Sequence, residues 1–288
     1  MDKALLVGIN AYPDPGPALR GCINDVNDMR DFVIKSCGIP AEDVVVLTDA
    51  DATADHIRLG LKMLVDGLGP GDRILFHYSG HGAQLQDGDA ASDCICPVDF
   101  DWSVPHAVTV ADFHAAFARI PAGVTAIWVS DSCHSGDLER DLYRRGVPKM
   151  IRDRRAPGPR PKGIPIVHTF RGLVSAALPN VALLAGCASN QTSADAYIDG
   201  RYNGAMTYEL LRVLRTNPSA PLTQVIADVD GDMAGDGYDQ RPELSGQPTQ
   251  TALRFLGVQP PTGSTPAPAY DPDAQDGECV PGQPDPTP

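Results

Sequence analysis

Short apolar runs of strand length alternate along this chain with segments of helical spacing, and that alternation limits the fold more than any other feature. Ala4–Ile9, Val44–Thr48, Arg73–Ser79, Val124–Ser130, Val181–Cys187 and Thr251–Leu256 read as strands. Between them, Asn24–Cys37 sets Val26, Met29 and Val33 on one helical face, with Gly38 where a C-cap falls. Thr53–Leu68 does the same with Ile57, Leu61, Leu64, Val65 and Leu68 behind a Thr53 N-cap. Val110–Ile120, Ala205–Arg215 and Leu222–Val229 are further helices. A β-α-β-α order of this kind predicts an α/β fold: a mainly parallel six-stranded sheet with helices on both faces.

One domain over residues 1–258 accommodates these elements. Residues 259–288 hold nine prolines, no Lys or Arg and almost no large apolar side chain, so they read as a disordered tail. Residues 141–170 are rich in Arg, Pro and Gly and read as a long exposed loop; nine Lys/Arg crowd into 140–162 of a chain whose net charge is −14. That acidic balance argues against a nucleic-acid partner. No apolar run is long enough to span a bilayer, so no membrane partner is expected. The start of the chain has no basic leader or cleavage-like site, and its seven cysteines are irregularly spaced. Both features point to reduced thiols and a cytoplasmic location.

In open parallel sheets, sites form beyond the carboxyl ends of the strands. Two strands here end in reactive residues: Arg73–Ser79 runs into Gly80-His81-Gly82, and Val124–Ser130 into Asp131-Ser132-Cys133-His134. If these strands are parallel neighbours, His81 and Cys133 leave the same edge. A thiol with an ordinary pKa is only a few per cent thiolate at neutral pH, and a nearby imidazole raises its reactivity. Spacing alone leaves two plainer alternatives open, a packing cysteine and a turn histidine.

Tyr78-Ser-Gly-His-Gly82 and Asp131-Ser-Cys-His-Ser-Gly136 resemble the two signature segments of metacaspases, the caspase-like cysteine peptidases. Leu5-Leu-Val-Gly-Ile-Asn10, Leu19-Arg-Gly-Cys-Ile-Asn-Asp25, Pro97-Val-Asp99, Gly186-Cys187 with Gln191-Thr-Ser-Ala-Asp195, and Gly204-Ala-Met-Thr207 resemble further landmarks of that family. The resemblance spans about residues 3–256 and implies a caspase-like fold. It implies Cys133 as nucleophile and His81 as general base and later acid, working through a thioester acyl-enzyme. It implies an oxyanion hole from the N–H groups of Gly82 and Cys133. Cys22, Asp25, Ser79 and Asp131 match positions lining the family's S1 pocket. Two carboxylates there need a cation to offset their repulsion, which implies cleavage of protein or peptide substrates after Arg or Lys rather than Asp. The basic 141–170 loop falls where caspase-like enzymes carry a cleavable linker, which suggests autoprocessing; the resemblance further implies a monomer. The alternatives are an inactive caspase-fold scaffold and a caspase-fold hydrolase of different P1 preference.

Many metacaspases use calcium, and here the pattern is incomplete. Asp93 matches one family position, but the expected paired aspartates are Val110-Ala111 beside Asp112, and a later acidic position is Arg140 beside Asp141. Ca²⁺ takes six or more oxygens, so no cofactor is expected to be required; a loose set of Asp87, Asp89 and Asp93 stays open. Asp228, Asp230, Asp232, Asp236 and Asp239 have EF-hand-like spacing, but Met233 stands where the loop needs glycine, which predicts a solvated acidic turn. Cys94 and Cys96 are too close for a zinc clip and read as packing thiols.

Overall fold

The computed structural model describes residues 1–13, 18–87, 90–132, 152–153, 166–188, 191 and 193–257. In chain order its elements are β1 (Asp2–Gly8), α1 (Cys22–Lys35), β2 (Val44–Thr48), α2 (Ala54–Val65), β3 (Arg73–Ser79), β4 (Gly82–Asp87), β5 (Ala90–Ile95), β6 (Val108–Thr109), α3 (Val110–Phe117), β7 (Thr125–Asp131), β8 (Arg152–Asp153), β9 (Ile166–His168), α4 (Phe170–Ala177), β10 (Val181–Ala185), β11 (Ala194–Ile198), β12 (Arg201–Gly204), α5 (Ala205–Thr216), α6 (Leu222–Gly235), β13 (Glu243–Ser245) and α7 (Pro248–Thr251). The main sheet has six strands in the order β13-β10-β7-β3-β1-β2. All its pairs are parallel except β10 with β13.

Both faces of this sheet are covered, which is why its strands read as unbroken apolar runs. Side chains alternate across the pleat: Ala4 and Leu6 of β1 enter one core, Leu5 and Val7 the other. The first core takes Val26, Met29 and Val33 of α1, Leu210 and Leu214 of α5 and Val225 and Val229 of α6. The second takes Ile57, Leu61 and Leu64 of α2, Phe113 and Phe117 of α3 and Phe170 and Val174 of α4. There Phe113 stacks on Trp128 with ring centroids 4.1 Å apart, and Phe170 meets the same indole edge-on at 4.8 Å. These contacts anchor α3 and α4 behind β7. A hairpin of β4 and β5, extended by β6 and by β9 alongside β5, forms a second sheet; β11, β12 and β8 form a third.

Several expectations need correction. Thr251–Leu256 is not a strand: Thr251 closes α7, Arg254 makes one bridge to Pro221, and Phe255–Gly257 turn in a 3-10 helix. Pro248 starts the α7 turn, and Phe255 and Leu256 are apolar because they plug the first core. The sixth strand is instead β13, three residues between Pro242 and Gly246 that show no apolar pattern. Asp228, Asp230 and Asp232 lie on α6 rather than in an acidic turn, because Val225, Val229 and Met233 recur at helical spacing and are buried. Arg241 pairs with Asp230 and Arg212 with Asp232. Within the segment read as a loop, 152–153 pair with β11 and 166–168 with β5, and α4 begins at Phe170. The rest of 141–170, and the tail from 258, lie outside the described residues. Among the described residues, no helix is long and apolar enough to cross a membrane.

Candidate active site

β3 lies between β1 and β7, all three parallel, with Ser79 level with both Gly8 and Asp131. Their carboxyl ends therefore share one rim. The Gly80 N–H reaches the Asp131 carbonyl at 3.5 Å. His81 follows one residue later, between β3 and β4. Cys133, two positions past Asp131, lies outside the described residues, which stop at Ser132 on that side. The Ser132 hydroxyl lies 2.9 Å from that of Ser130.

His81 is buried and its backbone is held on both sides. Its N–H donates to the Tyr12 hydroxyl at 2.9 Å. Its carbonyl accepts from the Tyr78 hydroxyl at 2.6 Å and the Cys96 N–H at 3.0 Å. The Tyr12 ring also rests against the imidazole, centroids 4.6 Å apart. Tyr12 donates to the Cys96 carbonyl at 3.1 Å, and the single Tyr78 proton is shared between the His81 carbonyl and that of Cys96, 3.0 Å away. Burial raises both phenols well above their usual range, so they stay neutral donors. A Cβ on Gly80 would stand 2.6 Å from the Tyr78 hydroxyl and 2.7 Å from that of Tyr12. The glycine before His81 thus exists for space rather than for backbone freedom. Tyr12 carries no signal in the sequence beyond its place after Asn10.

The four residues matched to an S1 pocket come together. Cys22 and Asp25 lie in the first turn of α1, and Ser79 and Asp131 end β3 and β7; all four are buried. The Ser79 hydroxyl donates to Asp25 at 2.6 Å. The amino end of α5 then serves both acids. The N–H of Gly204, its N-cap, meets the two Asp25 oxygens at 2.8 and 3.0 Å. One turn on, Thr207 gives Asp131 its N–H at 2.9 Å and its hydroxyl at 2.8 Å. The second Asp131 oxygen accepts the Ser193 hydroxyl at 2.5 Å. Two neighbouring carboxylates can stand buried here because a helix N-terminus faces them; a substrate cation is not the only offset to their repulsion. Asp195 takes the N–H groups of Arg20 and Gly21 at 2.9 and 2.8 Å and so fixes the entry to α1. Gly21 has no room for a side chain, since a Cβ there would lie 2.5 Å from that carboxylate.

Asp93 lies on β5. Its oxygens accept the Gln84 amide at 3.3 Å and the Phe170 N–H at 3.2 Å. Burial pushes its carboxyl up to about 7. It borders a small cleft of ≈ 40 Å³ with Ser130, Ser132, Thr169, Arg171 and Cys187. Asp112 caps α3 through Thr109 and also receives Arg58 at 3.0 Å. Asp93 and Asp112 are thus engaged by protein donors; of Asp87 only the backbone, in β4, is described. Asp89 and Arg140-Asp141 lie outside the described residues. Cys94 and Cys96 are buried with Ala83, Leu85 and Ala107, as packing thiols.

A mainly parallel sheet with helices on both faces, and a histidine turn beside a strand that ends in an acid, defines a caspase-like fold. Known structures agree. A crystal structure of a Geobacter sulfurreducens protein aligns with a TM-score of 0.66 and 25% identity, over 89% of this chain and 98% of that one. Caspase-1 from Spodoptera frugiperda aligns with a TM-score of 0.57 and 12% identity, over 85% and 86%. The profile of the metacaspase peptidase C14 domain matches residues 2–140. Metacaspase-1 of Candida glabrata is 31% identical over 88% of this chain and 75% of its own length. Metacaspase-1 of Scheffersomyces stipitis is 32% identical over 88% and 73%. The chain belongs to the metacaspase family, whose members are cysteine peptidases acting on proteins.

Proposed function

We propose that this metacaspase is an endopeptidase cutting after Arg or Lys. Cys133 attacks the scissile carbonyl, and His81 takes the thiol proton and later returns it to the leaving amine. The C–N bond breaks as a thioester forms, and water then releases the acid product. The N–H groups of Gly82 and Cys133 receive the oxyanion. Cys22, Asp25, Ser79 and Asp131 form S1, and the P1 cation pairs with its carboxylates.

The observation that carries this reading is the pair of buried acids, Asp25 and Asp131, gathered by the N-terminus of α5 at the strand rim next to His81. Two carboxylates brought to one rim complement a cationic side chain, which adds charge-assisted hydrogen bonds to the donors they already have. The engaged oxygens of Asp93 and Asp112 favour turnover without calcium. The same reading takes a cytoplasmic monomer as the working unit; a dimer in sedimentation at assay concentration contradicts that part.

The test is a peptide panel with Arg, Lys or Asp at P1, run on wild type and Cys133→Ala. Wild type turns over the Arg and Lys peptides, and the variant turns over none. Turnover only after Asp overturns the S1 assignment, and an equally active Cys133→Ala overturns the nucleophile. An inactive wild type returns the scaffold alternative.

A further inference from the structure

Two buried side chains outside the matched motifs point at the hydroxyls that hold Asp131. The first is Gln240, 4% exposed. Its carbonyl oxygen accepts the Ala194 N–H at 2.9 Å, and its amide nitrogen faces the Gly186 carbonyl at 2.5 Å and the Ser193 hydroxyl at 2.9 Å. The reverse amide orientation would set oxygen against oxygen at Gly186 and N–H against N–H at Ala194, so the nitrogen is the atom toward Ser193. The second is His77, wholly buried on β3, with Nε2 3.4 Å from the Thr207 hydroxyl. A hydroxyl has one proton to donate. Thr207 gives its proton to Asp131, and Ser193 does the same. Each hydroxyl therefore meets its inner neighbour as an acceptor. The Gln240 amide supplies an N–H to Ser193, and the Nε2–H tautomer of His77 supplies one to Thr207.

We infer that His77 and Gln240 are positioning residues for P1 recognition: each locks the proton of one hydroxyl onto one oxygen of Asp131. The two N–H···O–H···O relays converge on the same carboxylate and fix its plane. The inference rests on the S1 reading given above and adds to it two residues that never touch the substrate. Without the inner N–H, a hydroxyl rotates between partners, and the carboxylate loses part of its orientation and its polarised donor.

Steady-state kinetics on a P1-Arg peptide test this with His77→Phe, His77→Gln and Gln240→Met. Thermal melts report folding in parallel. His77→Phe and Gln240→Met raise KM about 5–10-fold with kcat within twofold, since orientation of a binding group is what is lost. His77→Gln, whose amide N–H reaches the place of Nε2–H, restores KM to within twofold. Unchanged KM in both donor-less variants overturns the inference, as does a loss confined to kcat, or a His77→Gln as impaired as His77→Phe. Should His77→Phe fail to fold, Gln240→Met and His77→Gln still decide it: a raised KM in the first with a normal KM in the second supports it, and a normal KM in Gln240→Met overturns it. Wild type inactive on Arg and Lys peptides removes the S1 reading itself and the inference with it. Active wild type with unaffected variants overturns the inference alone.

Discussion

Gly80→Ala adds one methyl group at the tightest point behind His81. The new Cβ would lie 2.6 Å from the Tyr78 hydroxyl, 2.7 Å from that of Tyr12 and 2.8 Å from the Tyr78 ring carbon bearing the hydroxyl. Ordinary contact requires each phenol to retreat by ~0.7 Å, and Tyr78 is wholly buried with nowhere to rotate. The hydrogen bonds at stake are Tyr78 to the His81 carbonyl, both phenols to the Cys96 carbonyl, and the His81 N–H to Tyr12. Losing two or three of them at ~1 kcal/mol each costs ~2–3 kcal/mol. For a domain of this size that lowers the melting temperature by ~5–10 °C. Because the imidazole is displaced with its backbone, kcat/KM falls by ~100-fold. Differential scanning calorimetry and a P1-Arg peptide assay read the two effects. Gly69→Ala is the control, since a Cβ there meets nothing within 4 Å. A Gly80→Ala protein that melts like wild type and keeps its kcat/KM within twofold refutes the steric reasoning.

Three other outcomes are expected. Asp195→Ala orphans the N–H groups of Arg20 and Gly21, costs ~2–4 kcal/mol by urea unfolding, and lowers turnover because α1 carries Cys22 and Asp25; unchanged stability contradicts it. Asp93 has a carboxyl pKa of about 7 folded, against an ordinary ~3.9 unfolded. The native state therefore binds more protons between about pH 4 and 7, and its stability falls as pH rises through that window. Asp93→Asn removes the titration, so its stability relative to wild type should improve by ~4 kcal/mol from pH 4 to pH 8; a pH-independent difference refutes the assignment. Activity in EGTA should match that in millimolar Ca²⁺ within twofold, and a loss of most turnover in EGTA contradicts the calcium reading.

The main sheet was legible because strands buried on both faces write themselves as apolar runs, and Arg73–Ser79 and Val44–Thr48 have the expected ends. The β4–β5 hairpin was not, since Gly82–Asp87 and Ala90–Ile95 mix Gln, Ser, Asp and Cys without strict alternation. β13 escaped for its brevity. Asp25 and Asp131 stood out only through motif resemblance: by itself, Asp25 is an ordinary first-turn carboxylate. The helix that neutralises them was recognised as a helix, but nothing in Gly204-Ala-Met-Thr207 announces that its N-terminus faces Asp25 and Asp131. Tyr12, His77, Ser193 and Gln240 act across 47 to 130 residues of sequence, a range no local pattern reaches.

The most direct measurement compares two peptides identical except for Arg or citrulline at P1. Citrulline keeps the shape and loses the charge, so the carboxylates Asp25 and Asp131 lose their ionic partner. Protein donors still hold both acids, so what is lost is one charge-assisted contact of ~1.5–3 kcal/mol, which predicts kcat/KM about 10–100-fold higher for Arg. Equal turnover of the two peptides contradicts an anionic S1 pocket.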